Sequence, residues 1–219
     1  MFARYLTIFI LAALEKAIAL CVEGADISTI CGTVDDFIGE ELLKTFSNKK
    51  SKKLERGIAF PTCVSVNEIC GNYSPCADDS TKLKNEDIVK IELGCHIDGF
   101  ASNCAHTVVV GGKAKEGAAD VVLAAYDAFL AATRSIKVGG LNQDVTAKIA
   151  AVMADYEVEP MQGVLSHKTK KHLIDGNECI INKETPEQRV EDWEFAPGDV
   201  IHLDVYASTG DGMGREAEA

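Results

Sequence analysis

The sequence predicts an α+β fold made of two related halves, and three observations lead there. Apolar residues recur at helical spacing in some stretches, while β-branched runs bounded by turn residues mark strands in others. Between residues 86 and 110, the runs Ile88–Leu93 and Thr107–Val110 flank Gly94, Asp98 and Gly99, which suit tight turns and bulges. The pattern Asp-aliphatic-aliphatic-basic-aliphatic-carboxylate-aliphatic occurs twice, from Asp87 to Leu93 and from Asp199 to Val205, at one spacing (199 − 87 and 204 − 92 both give 112). An echo at that distance suggests duplicated halves, each presenting one carboxylate strand to a shared cleft.

Composition narrows the class. A chain of 219 residues suffices for one large domain or two small ones with a substantial core. Hydrophobic residues at 47% exclude disorder as the global state. Asp and Glu number 34 against 22 Lys and Arg, a net charge of −12. That balance argues against wholesale electrostatic binding to nucleic acid and leaves room only for a local basic patch. The cysteines at 21, 31, 63, 70, 76, 95, 104 and 179 form no Cys-x-x-Cys pair, so zinc-ribbon spacing is missing. They read as reduced, mostly buried thiols of a cytosolic protein.

In chain order, Tyr5–Leu14 is an apolar run of signal-peptide-core length, ended by Glu15 and Lys16 well short of a membrane span. Two readings stand for it, a signal-peptide core or, favoured because no convincing small-x-small cleavage site follows, a packed first helix with a stripe of Leu11, Leu14, Ile18 and Val22, broken at Gly24. Asp26 is placed to cap a second helix with Ile27, Ile30, Val34, Phe37 and Ile38 on one face. A basic loop over residues 47–56 carries Lys49, Lys50, Lys52, Lys53 and Arg56. Two readings stand for it, a solvated loop or a contact to RNA phosphates or an import receptor. Ile58–Val66 reads as strand, turn, strand, and Cys76–Lys84 as a polar loop.

Ala118–Lys137 is the clearest helix, with Val122, Tyr126, Phe129, Thr133 and Ile136 in step and Gly139-Gly140 ending it. A shorter helix has Val145, Ile149 and Val152 on one side. Pro160–Lys171 is polar and bears His167, Ile174–Gly176 is a turn, and Asn182–Asp192 is a charged surface loop.

The candidate chemistry sits in the hairpin. Glu92 lies inside its first strand and Asn103 at the start of its second, where a buried sheet does not favour polar side chains. Two such groups on paired strands, pointing into one cavity, are how a metal or substrate site is built on a rigid scaffold. His106 and His202, in strand contexts, read as packed residues, and Ser166 beside His167 is not a nucleophile motif. No Gly-x-Ser-x-Gly, P-loop or dinucleotide fingerprint occurs.

The strings Lys90-Ile91-Glu92-Leu93-Gly94 and Asn103-Cys104-Ala105-His106-Thr107 resemble the hairpin that carries the first two metal ligands of methionine aminopeptidases, "K-I-D-x-G" and "D-C-A-x-T". With Gly57–Thr62, Ser65–Asn67, Gly163–His167 and His172–Gly176, the chain more closely resembles the proliferation-associated proteins, relatives that keep the fold without the peptidase chemistry. The likeness runs from Leu11 to Gly212.

The resemblance implies the pita-bread fold, as a single aminopeptidase-like domain over residues 1–219 that stops short on its C-terminal side. It implies remnant metal-site positions at Glu92, Asn103, His167 and Asp204, the second reduced to an amide, with no counterpart for the family's fifth ligand. Asn72 stands where the aminopeptidases carry a substrate-side His, and an Asn cannot exchange protons near neutral pH. The expectation is no catalytic residue, no metal and no small-molecule cofactor. The expected partners are the ribosome or rRNA and other proteins, with no membrane, in the cytoplasm and nucleus. The alternative is a metal-dependent methionine aminopeptidase, which calls for His at 72 and Asp at 103.

Overall fold

The computed structural model describes residues 2–45, 54–76, 78–115 and 117–215, and the chain divides into two compact units, Met1–Lys115 and Glu116–Ala219. The first unit holds α1 (Phe2–Leu20), α2 (Ile27–Lys44), β1 (Arg56–Val66), β2 (Ile88–Ile97) and β3 (Phe100–Val109). Asp26 caps α2 as expected, its side chain accepting from Thr29 N at 3.0 Å. The strands form an antiparallel sheet in the order β1-β2-β3. Asp98 and Gly99 turn β2 into β3 with left-handed φ of 54° and 78°, the geometry a two-residue hairpin loop demands. Along β2 the alternate residues Val89, Ile91, Leu93, Cys95 and Ile97 are buried in one core with α1 and α2.

Two expectations fail in this unit. The buried face of α1 is Leu6, Ile10, Ala13, Leu14 and Ala17, whereas Leu11 and Val22 are exposed. The helix begins before the stretch used to phase it, and its inner face takes alanines that let it approach the sheet closely. Ile58–Val66 is not two strands. It belongs to one strand, β1, whose register slips between Ile58 and Phe60 and again before Cys63, so bulges stand where a turn was expected.

The second unit holds α3 (Ala118–Ser135), α4 (Asn142–Asp155), β4 (Glu159–Pro160), β5 (Leu165–Thr169), β6 (Cys179–Ile181), β7 (Val200–His202) and β8 (Ala207–Ser208). Its sheets run β6-β5-β7 and β4-β8. The middle of the predicted stripe of α3 is turned outward: Ala124, Ala128 and Ala132 are fully buried, while Tyr126 and Phe129 are 56% and 40% exposed, and of the stripe Ile136 packs against the core. Both faces are apolar at helical spacing, and hydrophobicity alone points to the bulkier, wrong one. Asn182 is buried rather than on a surface loop, its Nδ2 donating to Met161 O and Tyr206 O. Asn142, also fully buried, donates to Cys179 O and Glu191 O and accepts from Trp193 N. Thus two amides tie the irregular stretches of this unit together, beside the apolar packing of Trp193, Phe195, Leu203 and Val205 on its core.

The echo in the sequence is a duplication in the fold. Gly24 N donates to Leu83 O, Leu83 N to Ala25 O and Ile27 N to Thr81 O; the same three bonds recur as Gly139 to Phe195, Phe195 to Gly140 and Asn142 to Trp193. Asp87 Oδ2 accepts from Lys84 N at 2.8 Å, and Asp199 Oδ2 from Ala196 N at 2.8 Å. The ladder repeats pair by pair. Gly57↔His96 and Ile58↔Cys95 return as Glu159↔Ser208 and Pro160↔Ala207, and Ser65↔Lys90 returns as His167↔His202. Hence β4 and β5 together repeat β1, and Val200–Ser208 repeats β2. One strand differs: β2 lies between β1 and β3, whereas among the described residues β7 pairs only with β5.

Candidate functional site

Opposed residues of an antiparallel pair share a face, so Glu92 and its partner Ala105 lie on the same side of the hairpin as Gly94 and its partner Asn103. This is the side away from the helices. Asn103 is the fourth residue of β3 rather than its start. Gly94 does not form a turn. A Cβ there would fall 2.1 Å from Asn103 Oδ1 and 2.9 Å from Phe60 Cβ, so the side chain of Asn103 lies across a position that only glycine leaves open.

Glu92 Oε2 accepts from Asn72 N at 3.1 Å. Asn72 reaches it through its backbone, held at φ 63°, a left-handed conformation that Asn tolerates better than most residues. Lys90, two residues before Glu92 and on the same face, donates from Nζ to Asn67 O at 2.6 Å. Burial pushes its amine down to about 8, against the pull of nearby Cys70, Glu68 and Glu92. Opposite Glu92, the buried Cys63 thiol is pushed up to about 12, first by burial and then by the Glu92 charge.

In the second unit His167 lies on β5, its Nδ1 2.9 Å from Gly176 O and 3.3 Å from Cys179 Sγ. Asp204 lies just past β7. Ser166, buried, accepts from Asp204 N at 2.9 Å and donates to Asp204 O at 3.1 Å. A side chain thereby replaces the ladder bonds that hold the equivalent Glu92 in β2. His202 pairs with His167 across the ladder, and its Nε2 lies 3.7 Å from Asp204 Oδ1.

Of the candidates, Glu92, Asn103 and Asn72 therefore belong to the first unit, and His167 and Asp204 to the second. Within either unit, among the described residues, no three His, Cys, Asp or Glu side chains gather so as to hold a metal ion. Lys49, Lys50, Lys52 and Lys53 lie outside the described residues, and Arg56 is the half-buried first residue of β1 rather than part of a loop. His106 is exposed rather than packed, because β3 is an edge strand. Sequence reasoning missed Ser166 and Gly94 as positioning residues. The 112-residue echo was a usable signal for the first, because it aligns Asp204 with Glu92 and so marks its surroundings.

Metallopeptidase family M24 matches this sequence over residues 12–215. The chain belongs to this family. Proliferation-associated protein A of Dictyostelium discoideum is 43% identical over 208 residues, 93% of this chain and 54% of its own length. ERBB-3 binding protein 1 of Arabidopsis thaliana is 44% identical over 201 residues, 91% of this chain and 51% of its own length. A methionine aminopeptidase of Thermococcus onnurineus is 30% identical over 155 residues, 71% of this chain and 50% of its own length.

Among solved structures, a thermophilic Arx1 is similar with a TM-score of 0.80 at 26% identity, over 96% of this chain and 62% of that one. The fold is the α+β pita-bread fold of the M24 family, and within the family the likeness to the proliferation-associated proteins exceeds that to the aminopeptidase. The chain spans about half the length of the curated relatives it matches. No helix among the described residues is long and apolar enough to cross a membrane.

Proposed function

We propose that the protein is a non-catalytic M24-fold adaptor that binds the ribosome, through rRNA or protein, and other protein partners in ribosome biogenesis, translation and growth control. Residues 1–219 act in this reading as a single aminopeptidase-like domain, in the cytoplasm and the nucleus.

Asn103 carries the proposal. A pair of hard dications wants bridging anionic oxygens, and an amide is a poor substitute for a carboxylate. At the place where the aminopeptidases carry the second Asp, this chain has a neutral side chain lying across Gly94. The first carboxylate, Glu92, is engaged by Asn72 N, and position 72 offers no imidazole. The donor set does not fit a dinuclear centre. The names of the relatives, a proliferation-associated protein and an ERBB-3 binding protein, agree with a role in binding. Lys49, Lys50, Lys52 and Lys53 are the residues proposed to meet phosphate, since they concentrate positive charge in a chain of net −12.

The test uses the whole chain. It is expected to co-sediment with ribosomes, to lose that association as salt rises, and to release no Met from a Met-Ala-Ser peptide in Co²⁺ or Mn²⁺. Metal-dependent release of Met, or failure to sediment with ribosomes at low salt, overturns the proposal.

A further inference from the structure

The bonds that close the helix corner of the first unit recur in the second at one spacing. Cys21 N donates to Ala17 O and Ile27 N to Thr81 O, while Ile136 N donates to Ala132 O and Asn142 N to Trp193 O (136 − 21 and 142 − 27 both give 115). The helices before the corner, α1 and α3, end at the same spacing, on Leu20 and Ser135. The corner is therefore one construction made twice, and residues 115 apart hold the same place in it.

In the first unit Ala19, Val22, Thr29 and Thr33 line one pocket of about 230 Å³ at this corner, and the only charged residue lining it is Asp26. Their counterparts in the second unit are Arg134, Lys137, Asp144 and Lys148, and Asp26 gives way to Leu141. The balance at the corner thus passes from −1 to +2, three cations less Asp144. Ala, Val and Thr complete the same corner in the first unit, so packing does not call for the cations. Arg134, Lys137 and Lys148 are all exposed. Among the described residues none of the three is ion-paired, neither Lys148 with Asp144 one turn before it nor Lys137 with Glu194. In a chain of 34 Asp and Glu against 22 Lys and Arg, this is a local reversal of charge.

We propose that Arg134, Lys137 and Lys148 form a contact site for the phosphates of an RNA backbone. Naming RNA rests on the ribosome-binding reading above. The placement supplies the rest: one cation stands on α3, one on the loop after it and one on α4, so each can meet a different phosphate of a run. A single small anion is better held by converging backbone N–H groups than by spread side chains. Phosphate contacts of this kind fix how a protein sits on nucleic acid and carry no sequence preference.

The test compares the whole chain with two triple variants. Arg134→Ala, Lys137→Val and Lys148→Thr together give the second unit the residues that the first unit carries at this corner, Ala19, Val22 and Thr33, so the fold is expected to persist. Lys82→Ala, Lys84→Ala and Lys113→Ala together remove the same charge from exposed positions of the first unit. Binding of a labelled RNA duplex of about 20 base pairs is followed by fluorescence anisotropy over a salt series. The first variant should bind at least ~10-fold more weakly at about 0.1 M salt, and its dependence of log Kd on log salt should be shallower by about 2–3, roughly one phosphate per cation. The second variant should bind within ~3-fold of the parent. Lys137→Glu alone, outside both helices, should lower the salt slope by about 1. An unchanged slope in the first variant, equal weakening by the two triple variants, or no RNA binding by the parent overturns the proposal. Loss of ribosome co-sedimentation in the first variant with duplex binding intact also overturns it, by making an acidic protein surface the partner. RNA binding that needs the three cations, in a chain that does not co-sediment with ribosomes, upholds the contact site and overturns the ribosome reading instead.

Discussion

Replacing Gly94 by Ala isolates the close approach on which the candidate site is built. The new Cβ would fall 2.1 Å from Asn103 Oδ1, 2.8 Å from Asn103 Cγ and 2.9 Å from Phe60 Cβ. Gly94 does not have a positive φ, so an Ala backbone is allowed and the effect is steric. The Asn103 side chain can swing aside, but Phe60 Cβ moves only with β1. Overpacking of this kind costs roughly 1–3 kcal/mol, and the smaller unfolded-state entropy of Ala offsets about 0.4–1 kcal/mol. A net loss of about 1–2 kcal/mol is expected, read from urea unfolding followed by circular dichroism. Combining the change with Asn103→Ala removes the two nearest atoms and leaves Phe60. The double variant should therefore recover part of the loss, with a coupling of about 0.5–1 kcal/mol. A Gly94→Ala protein as stable as its parent to within about 0.5 kcal/mol, or strictly additive effects, would refute the arrangement of Asn103 across the sheet.

Other expectations follow from the same geometry. Asn142→Leu removes bonds to Cys179 O, Glu191 O and Trp193 N and, because Trp193 Nε1 still serves Cys179 O, should cost about 2–4 kcal/mol in urea unfolding. Ala128→Leu should destabilise by about 1–3 kcal/mol while Tyr126→Ser stays within about 0.5 kcal/mol, a contrast that separates the buried face of α3 from the exposed one. For Lys90, whose amine is held down at about 8 against an ordinary 10.5, the unfolded chain binds more protons between those values, so this residue makes stability rise with pH across that window. Lys90→Met should remove the rise, so that its advantage over the parent, measured as the difference in urea midpoint, is largest below pH 8 and shrinks toward pH 10.5.

What was legible in the sequence was what local chemistry fixes. The cap at Asp26 needs only one side chain and a nearby N–H, and the Asp98-Gly99 turn needs only two residues that accept a positive φ. The echo was legible because aliphatic alternation and the Asp that caps each turn are carried in the residues themselves. The inner face of α3 was not. Alanine and phenylalanine both satisfy a helical period, and which of them turns inward is settled by how near the helix must come to the sheet. The role of Gly94 was hidden for a similar reason: a glycine followed by Asp-Gly reads as turn chemistry, and only the register reveals Asn103 opposite it.

The duplication separates the fold from the chemistry of its exposed face. The groups that repeat are those that hold the chain: the Asp87 and Asp199 caps, the bonds at Gly24 and Gly139, and the ladder pairs. The groups that vary are those on the face away from the helices. Ser65 corresponds to His167, the carboxylate of Glu92 is kept as the shorter Asp204, and among the described residues the strand that carries Asn103 has no equivalent in the second unit. Because the repeated bonds use backbone atoms and capping carboxylates, side chains on the outer face can change from carboxylate to amide without disturbing them. On the proposed reading of Glu92 and Asn103 as one remnant metal site, Asn103→Asp should leave the fold intact and place a second carboxylate on the face of Glu92, where like charge favours a cation. Tighter retention of Mn²⁺ or Co²⁺ by that variant than by the parent, measured by elemental analysis after dialysis, is the expected result. Unchanged retention would mean that the two positions do not face a common ion, and the reading of Glu92 and Asn103 as one remnant site would fall.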